Sequence, residues 1–270
     1  MPHAFFLPDK EKIMKKSSLA VSSVLLALAA TLVPASAHAG NPSVVVTSEG
    51  DCLEFGEITQ ITVAEARELV PSRYKVREAD GTPGKVNVYM GDYSCSGISV
   101  NGGRAKPTMI TMATVEISHR DGVEQPWGTT QPLWWGTNQP ALTNAVQRLG
   151  APARHVQATR SITPMANGMR LVHNKYTGSN VDHERFAVVE DISSEPVQNF
   201  HTPVGYYTGT KGEIQFVYDM QFRAKEQAAN SILVSGRDTD LVHKYGFPIT
   251  LTSKNTLMTG KWTMRAELKR

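Results

Sequence analysis

The chain has 270 residues, with 28 Lys and Arg against 25 Asp and Glu, a formal charge of +3, 40% hydrophobic residues and two cysteines. That length supports a core of ordinary size, and the balance of apolar and charged residues excludes intrinsic disorder. Two cysteines are too few for a disulfide scaffold or a cysteine-rich zinc module.

Lys15 and Lys16 precede an apolar run from Leu19 to Val33, which is followed by Pro34 and Ala37-His38-Ala39. A basic region, an apolar stretch and a small-x-small site together read as a secretory signal peptide. Met14 fits its start, and cleavage falls between Ala39 and Gly40. The apolar run, roughly 15 residues, is shorter than the ~20 needed to span a bilayer. The expected organisation is a signal peptide over 1–39 and a single secreted or periplasmic domain over 40–270, with no membrane span after processing. Cleavage removes Lys10, Lys12, Lys15 and Lys16 together with Asp9 and Glu11, which leaves the mature chain close to neutral. No basic cluster longer than Lys269-Arg270 remains, so nucleic acid is not an expected partner.

Export places Cys52 and Cys95 in an oxidising compartment, where a disulfide is the expected state. It closes a loop of about 44 residues and contributes roughly 4 kcal/mol on the chain-entropy account.

Strand-like alternation dominates the mature chain. From Glu213 to Phe222, apolar Ile214, Phe216, Tyr218, Met220 and Phe222 alternate with other residues, and Trp262, Met264, Ala266 and Leu268 do the same at the C-terminus. A period of two puts each set on one face of a strand. Further strands are expected at 85–90, 97–100, 108–119, 169–173, 184–189, 231–234 and 249–252. Turn signals such as Gly81-Thr-Pro-Gly84, Asn101-Gly-Gly103, Asp121-Gly122 and Asn167-Gly168 separate them. Helices are few. Thr62 and Glu65 form a capping-box signature, and Leu142, Ala145, Val146 and Leu149 have helical spacing ahead of Gly150. A third short helix is expected from Asp238 or Asp240 to His243. The fold class is mainly β, a single-domain barrel or a cone or sandwich with two or three short helices.

No short catalytic or metal-binding signature is present, and no metal or cofactor is expected. Candidate groups are therefore weighed singly. Asp182-His183-Glu184 offers three potential ligands, but adjacent strand residues point to opposite faces, so the three cannot converge and a solvated strand entrance is expected. His201, in Asn199-Phe-His-Thr-Pro203, is a candidate general base. Lys175 follows a strand-like segment and is a candidate nucleophile if desolvated, although exposure is its ordinary state. Glu116 stands in a strand otherwise made of apolar and small residues, facing outward or serving as an interior acid. Trp134 and Trp135, with Asn138 nearby, could wall a pocket for an apolar or aromatic ligand.

Several segments in order resemble secreted relatives of the acetoacetate decarboxylase-like superfamily. They are Val70-Pro-Ser-Arg-Tyr74, a Gly-Lys-Val-Asn-Val strand, Asp92-Tyr-Ser-Cys-Ser-Gly-Ile-Ser-Val100, the strand from Met112 to Ile117, Leu133-Trp-Trp-Gly136 and the helix ending Arg148-Leu-Gly-Ala-Pro152. The resemblance covers roughly 68–268 and implies a single cone-shaped β domain with an internal cavity. It implies a small keto- or ester-type substrate and makes Glu116 the counterpart of a cavity-lining carboxylate. Decarboxylases of this family carry an aromatic-Gly-x-Pro-Lys segment whose lysine forms an imine with a β-keto acid. The matching stretch here, Trp135-Gly136-Thr137-Asn138-Gln139-Pro140, keeps the aromatic-glycine pair and lacks the lysine, so decarboxylation is not carried over. The readings that follow are an exported enzyme of reaction unknown, a non-catalytic binder of a small apolar molecule, or a structural or interaction domain. No oligomeric state is implied.

Overall fold

Long antiparallel strands dominate the chain because β-branched and aromatic residues alternate with polar ones, so that most strands bury at least one face. The computed structural model describes residues 42–49, 52–118, 129–178, 180–235 and 250–269, and Asn41–Arg270 forms one unit by its internal contacts. The expected signal peptide, the Asp121-Gly122 turn and the third helix lie outside the described residues.

The elements in order are β1 (Ser43–Ser48), β2 (Cys52–Thr62), α1 (Val63–Leu69), β3 (Lys75–Val76), β4 (Lys85–Val100), β5 (Lys106–Ser118), β6 (Thr129–Thr137) and α2 (Pro140–Leu149). They continue with β7 (Ala153–His155), β8 (Gln157–Pro164), β9 (Arg170–Gly178), β10 (Val181–Val189), β11 (Gln198–Gly209), β12 (Gly212–Ser235) and β13 (Thr250–Lys269). All thirteen strands join one sheet. Its hydrogen-bonded path runs β13–β2–β4–β5–β6–β11–β12, and β12 also pairs with β13, so the path returns on itself. From β12 the sheet continues through β10 and β9 to β8, its outer strand.

Both expected helices are present. Thr62 caps α1: its hydroxyl accepts from the Glu65 N–H at 3.2 Å, while the Glu65 carboxylate accepts from the Thr62 N–H at 2.7 Å. Pro140 opens α2, and Gly150 ends it in the left-handed region at φ 98°, where a Cβ would be strained. No helix of the described residues is long and apolar enough to cross a membrane.

Of three buried apolar clusters among the described residues, one joins Leu53 and Phe55 to Val172, Ala187, Val189 and Ile192, and the other two lie on the two faces of the central strands. One gathers Val86, Val88, Met90, Ala113, Val115, Ile117, Trp134 and Tyr176. The other gathers Ile110, Trp135, Leu142, Val146, Ile214, Phe216, Trp262, Met264 and Leu268. The apolar sets expected at 213–222 and 262–268 are thus those that turn inward. The strands expected at 85–90 and 97–100 are one strand, β4, with an irregularity between Cys95 and Ile98. Cys52 and Cys95 face each other across β2 and β4 and form the expected disulfide, with Cα atoms 4.0 Å apart.

Candidate functional site

β2 and β4 carry acidic residues at positions that the sheet buries. Because Phe55 lies opposite Asp92, and Leu53 opposite Ser94, the alternation puts Leu53, Phe55, Glu57, Asp92 and Ser94 on one face. β9 and β10 cover that face and contribute Asn174, Tyr176, His183 and Arg185, all at most 1% exposed. Arg185 bridges two carboxylates: Nε donates to Asp92 Oδ2 at 2.7 Å and Nη1 to Glu57 Oε1 at 2.5 Å. His183 Nε2 lies 3.5 Å from Asp92 Oδ1 and 3.4 Å from Thr111 Oγ1. The guanidinium also stands 5.8 Å from the centre of the Phe55 ring. Burial pushes the Asp92 carboxyl up, but the Arg185 charge, and after it the hydrogen bond and charge of His183, outweigh that effect and hold it below the usual carboxylate range. Asn174 is fully buried and neither polar atom of its amide has a protein partner.

The opposite face of β2 and β4 holds a second acid. Glu54 is buried and accepts a short hydrogen bond from the Tyr89 hydroxyl, with Tyr93 as a further partner. Burial drives its pKa up to about 7 against the lowering effect of the two tyrosines. Tyr89 can reach across because Gly56 and Gly91 face each other beneath it: a Cβ on Gly91 would sit 2.8 Å from the ring, and one on Gly56 closer still. A carboxyl whose pKa is raised on folding makes the native state bind the extra proton, so its contribution to stability falls as pH rises from about 4.5 to about 7. Glu54→Gln should remove that slope. Thermal midpoints of the wild type are expected to drop between pH 5 and 8 by clearly more than those of the variant, and parallel curves would contradict the assignment.

One cavity, of about 580 Å³, opens beside the first of these faces. Leu53, Ile192, Val197 and Phe222 supply its apolar wall, and Arg160, Arg170, Arg223, Lys261 and Asp191 its charges. Arg160 on β8 reaches over β4, where Nη1 donates to Ser94 Oγ at 2.8 Å, while its buried Nε has no protein partner. Burial, and then the neighbouring charge of Arg170, lowers the Arg160 pKa. Ser94 and Asp92 are two apart on one face of β4, so the anchor of Arg160 adjoins the buried acid–arginine network.

The residues singled out from sequence are spread over the fold. Glu116 is half-buried, accepts from Asn87 Nδ2 at 3.1 Å, and has a pKa raised by burial. Lys175 is exposed and donates to Glu184 Oε1 at 2.6 Å, and this hydrogen bond and the Glu184 charge raise its pKa. Trp134 and Trp135 are both buried, in different cores on opposite faces, because they are consecutive in a strand. Asn138 Oδ1 accepts from the Met109 N–H at 2.9 Å. His201 stands in β11 opposite Asp219, and its side chain lies outside the described residues. Glu116, Lys175, Trp134, Trp135 and Asn138 do not line the cavity. At Asp182-His183-Glu184 the alternation holds, and a solvated entrance is corrected for its middle residue: His183 is 1% exposed because β10 turns it toward Asp92. The sequence pattern does not single out Arg185, Asp92 or Arg160. Their one local signal is a charge on the inward parity of a strand, and that parity emerges only from the pairing.

No family profile matches the sequence, and no curated protein matches it. Solved structures do. The enduracididine biosynthesis enzyme MppR with HEPES buffer bound is 12% identical over 87% of this chain and 90% of that chain, with a TM-score of 0.54. An acetoacetate decarboxylase-like enzyme from Sphingomonas wittichii RW1 is 13% identical over 84% and 91%, with a TM-score of 0.47. MppR complexed with pyruvate is 10% identical over 85% and 91%, with a TM-score of 0.48. At such identities the likeness is one of fold alone, and the fold of this chain resembles that of MppR.

Proposed function

We propose that this is an exported small-molecule-processing protein that acts on a keto- or ester-type substrate held in the 580 Å³ cavity beside β2, β4 and β8. The observation that carries the reading is Arg160: a cation on the cavity wall, held in place by the hydrogen bond from its Nη1 to Ser94 Oγ. The guanidinium has five N–H donors, so the anchor to Ser94 leaves others that can meet an oxygen of a bound molecule. A guanidinium that receives a carbonyl oxygen also stabilises negative charge developing there. The volume falls within the usual range for small-molecule sites. Export is supported by the segment from Lys15 to Ala39 and by the Cys52–Cys95 disulfide. Imine chemistry at Lys175 lacks support, because that lysine is exposed and ion-paired with Glu184. The reading as an apolar binder walled by Trp134 and Trp135 lacks it too, since the two rings occupy different cores.

The test is a panel of small keto acids, ketones and esters followed by NMR for both binding and turnover. Arg160→Gln should weaken binding or kcat/KM about tenfold while lowering the thermal midpoint by no more than the few degrees that loss of the Ser94 hydrogen bond costs. Borohydride treatment with a keto acid should leave no lysine adduct, and an adduct at the cavity-lining Lys261 would replace this mechanism. A panel without a single ligand would end the proposal.

A further inference from the structure

The cavity carries more positive charge than recognition of one carbonyl needs. Arg160 and Arg170 come from β8 and β9, while Arg223 and Lys261 come from β12 and β13. Arg223 lies opposite Thr259, so Lys261 is its diagonal neighbour on the same face of that ribbon. Asp191 is the one carboxylate on the wall among the described residues, and Ser193 takes both of its oxygens, through the backbone N–H at 2.9 Å and the hydroxyl at 3.0 Å. Arg223 donates through Nη1 to the Glu195 carbonyl, an acceptor without formal charge. Four cations thus line the cavity against one carboxylate, Asp191, which also feels the charge of Arg170, so the wall keeps a net positive charge. Arg170 repels Arg160, and a ligand that brings negative charge to the wall relieves that repulsion. A single carboxylate would still leave a net positive charge on the wall, centred on Arg223 and Lys261 if it met Arg160. The apolar side chains of Leu53, Ile192, Val197 and Phe222 suit a short carbon chain.

Resting on the reading above, we infer that the substrate is a keto dicarboxylate, with one carboxylate facing Arg160 and Arg170 and the other facing Arg223 and Lys261. A phosphate-bearing anion shares the charge but not the short carbon body, and it competes as a separate arm of the test.

The experiment is calorimetric titration of the exported chain with a matched set: 2-oxoglutarate, 2-oxopentanoate with one carboxylate on the same carbon skeleton, the neutral dimethyl ester of 2-oxoglutarate, and inorganic pyrophosphate. The diacid should bind at least about tenfold more tightly than the monoacid, with the diester weakest. Arg160→Gln and the exposed-site variant Lys261→Gln should each cut affinity for the diacid about tenfold and erase most of its advantage over the monoacid. Equal affinity for diacid, monoacid and diester would overturn this inference and leave the keto- or ester-type reading standing. Tighter binding of pyrophosphate than of the diacid would also overturn it. Binding of none of the keto compounds would remove the parent reading itself.

Discussion

Arg185→Met should destabilise the domain by about 3–5 kcal/mol, because it leaves Asp92 and Glu57 buried without their cation. For a domain of this size that corresponds to a fall in thermal midpoint of roughly 10 °C. The effect should depend on pH with a definite sign. In the wild type Asp92 is held below its ordinary pKa, so its contribution is fully present above the unfolded carboxylate range and is lost only as pH falls through the depressed folded value. In the variant burial is left without its main counterweight, and the same carboxyl takes up a proton on folding. The gap between variant and wild type should therefore be widest near pH 7 and narrow as pH falls toward 4. Arg185→Lys should recover only part of the loss, since an ammonium cannot span two carboxylates as a planar guanidinium does. Melting curves at pH 4 and 7 check this, and an equal gap at both would refute it.

Cys52→Ser combined with Cys95→Ser is expected to cost about 4 kcal/mol, the chain-entropy value for the loop closed by the disulfide. The bridge joins directly opposed residues of β2 and β4, two positions along from the Glu54–Tyr93 pair. Trp262 Nε1 donates to Cys52 Sγ at 3.1 Å, so the substitution also changes the surroundings of a buried indole. Denaturant midpoints followed by far-UV circular dichroism should fall, with the near-ultraviolet tryptophan signal changing in the native baseline. A loss below about 1 kcal/mol would mean that the pairing of β2 with β4 already supplies the constraint.

The two predictions bear on the same pair of strands, and these strands show where sequence patterning stops. β2 was absent from the expected elements because Glu54 and Glu57 interrupt its apolar character. Burying them is tolerable only through partners far along the chain: Tyr89 for one and Arg185 for the other. β12 and β13 were legible because each has an apolar set on one parity, which needs no partner identity to predict its face. β4 reads as two pieces in sequence because Gly91, Asp92 and Ser94 lack apolar character, although all three are buried. The candidate site fared differently from the fold. Lys175, Glu116 and Asn138 were chosen for their residue type and stand apart from the cavity, whereas Arg160 and Lys261 gain meaning from strands that approach only in the folded sheet.

Sequence alone determined the mainly β class, the two helices with their caps and the inward faces of the long strands, because these follow from local periodicity and side-chain chemistry. Tertiary structure decided which charges are buried together and which gather around the cavity. That depends on register between strands many residues apart, where a shift of one residue would turn Asp92, His183 and Arg185 to the other face.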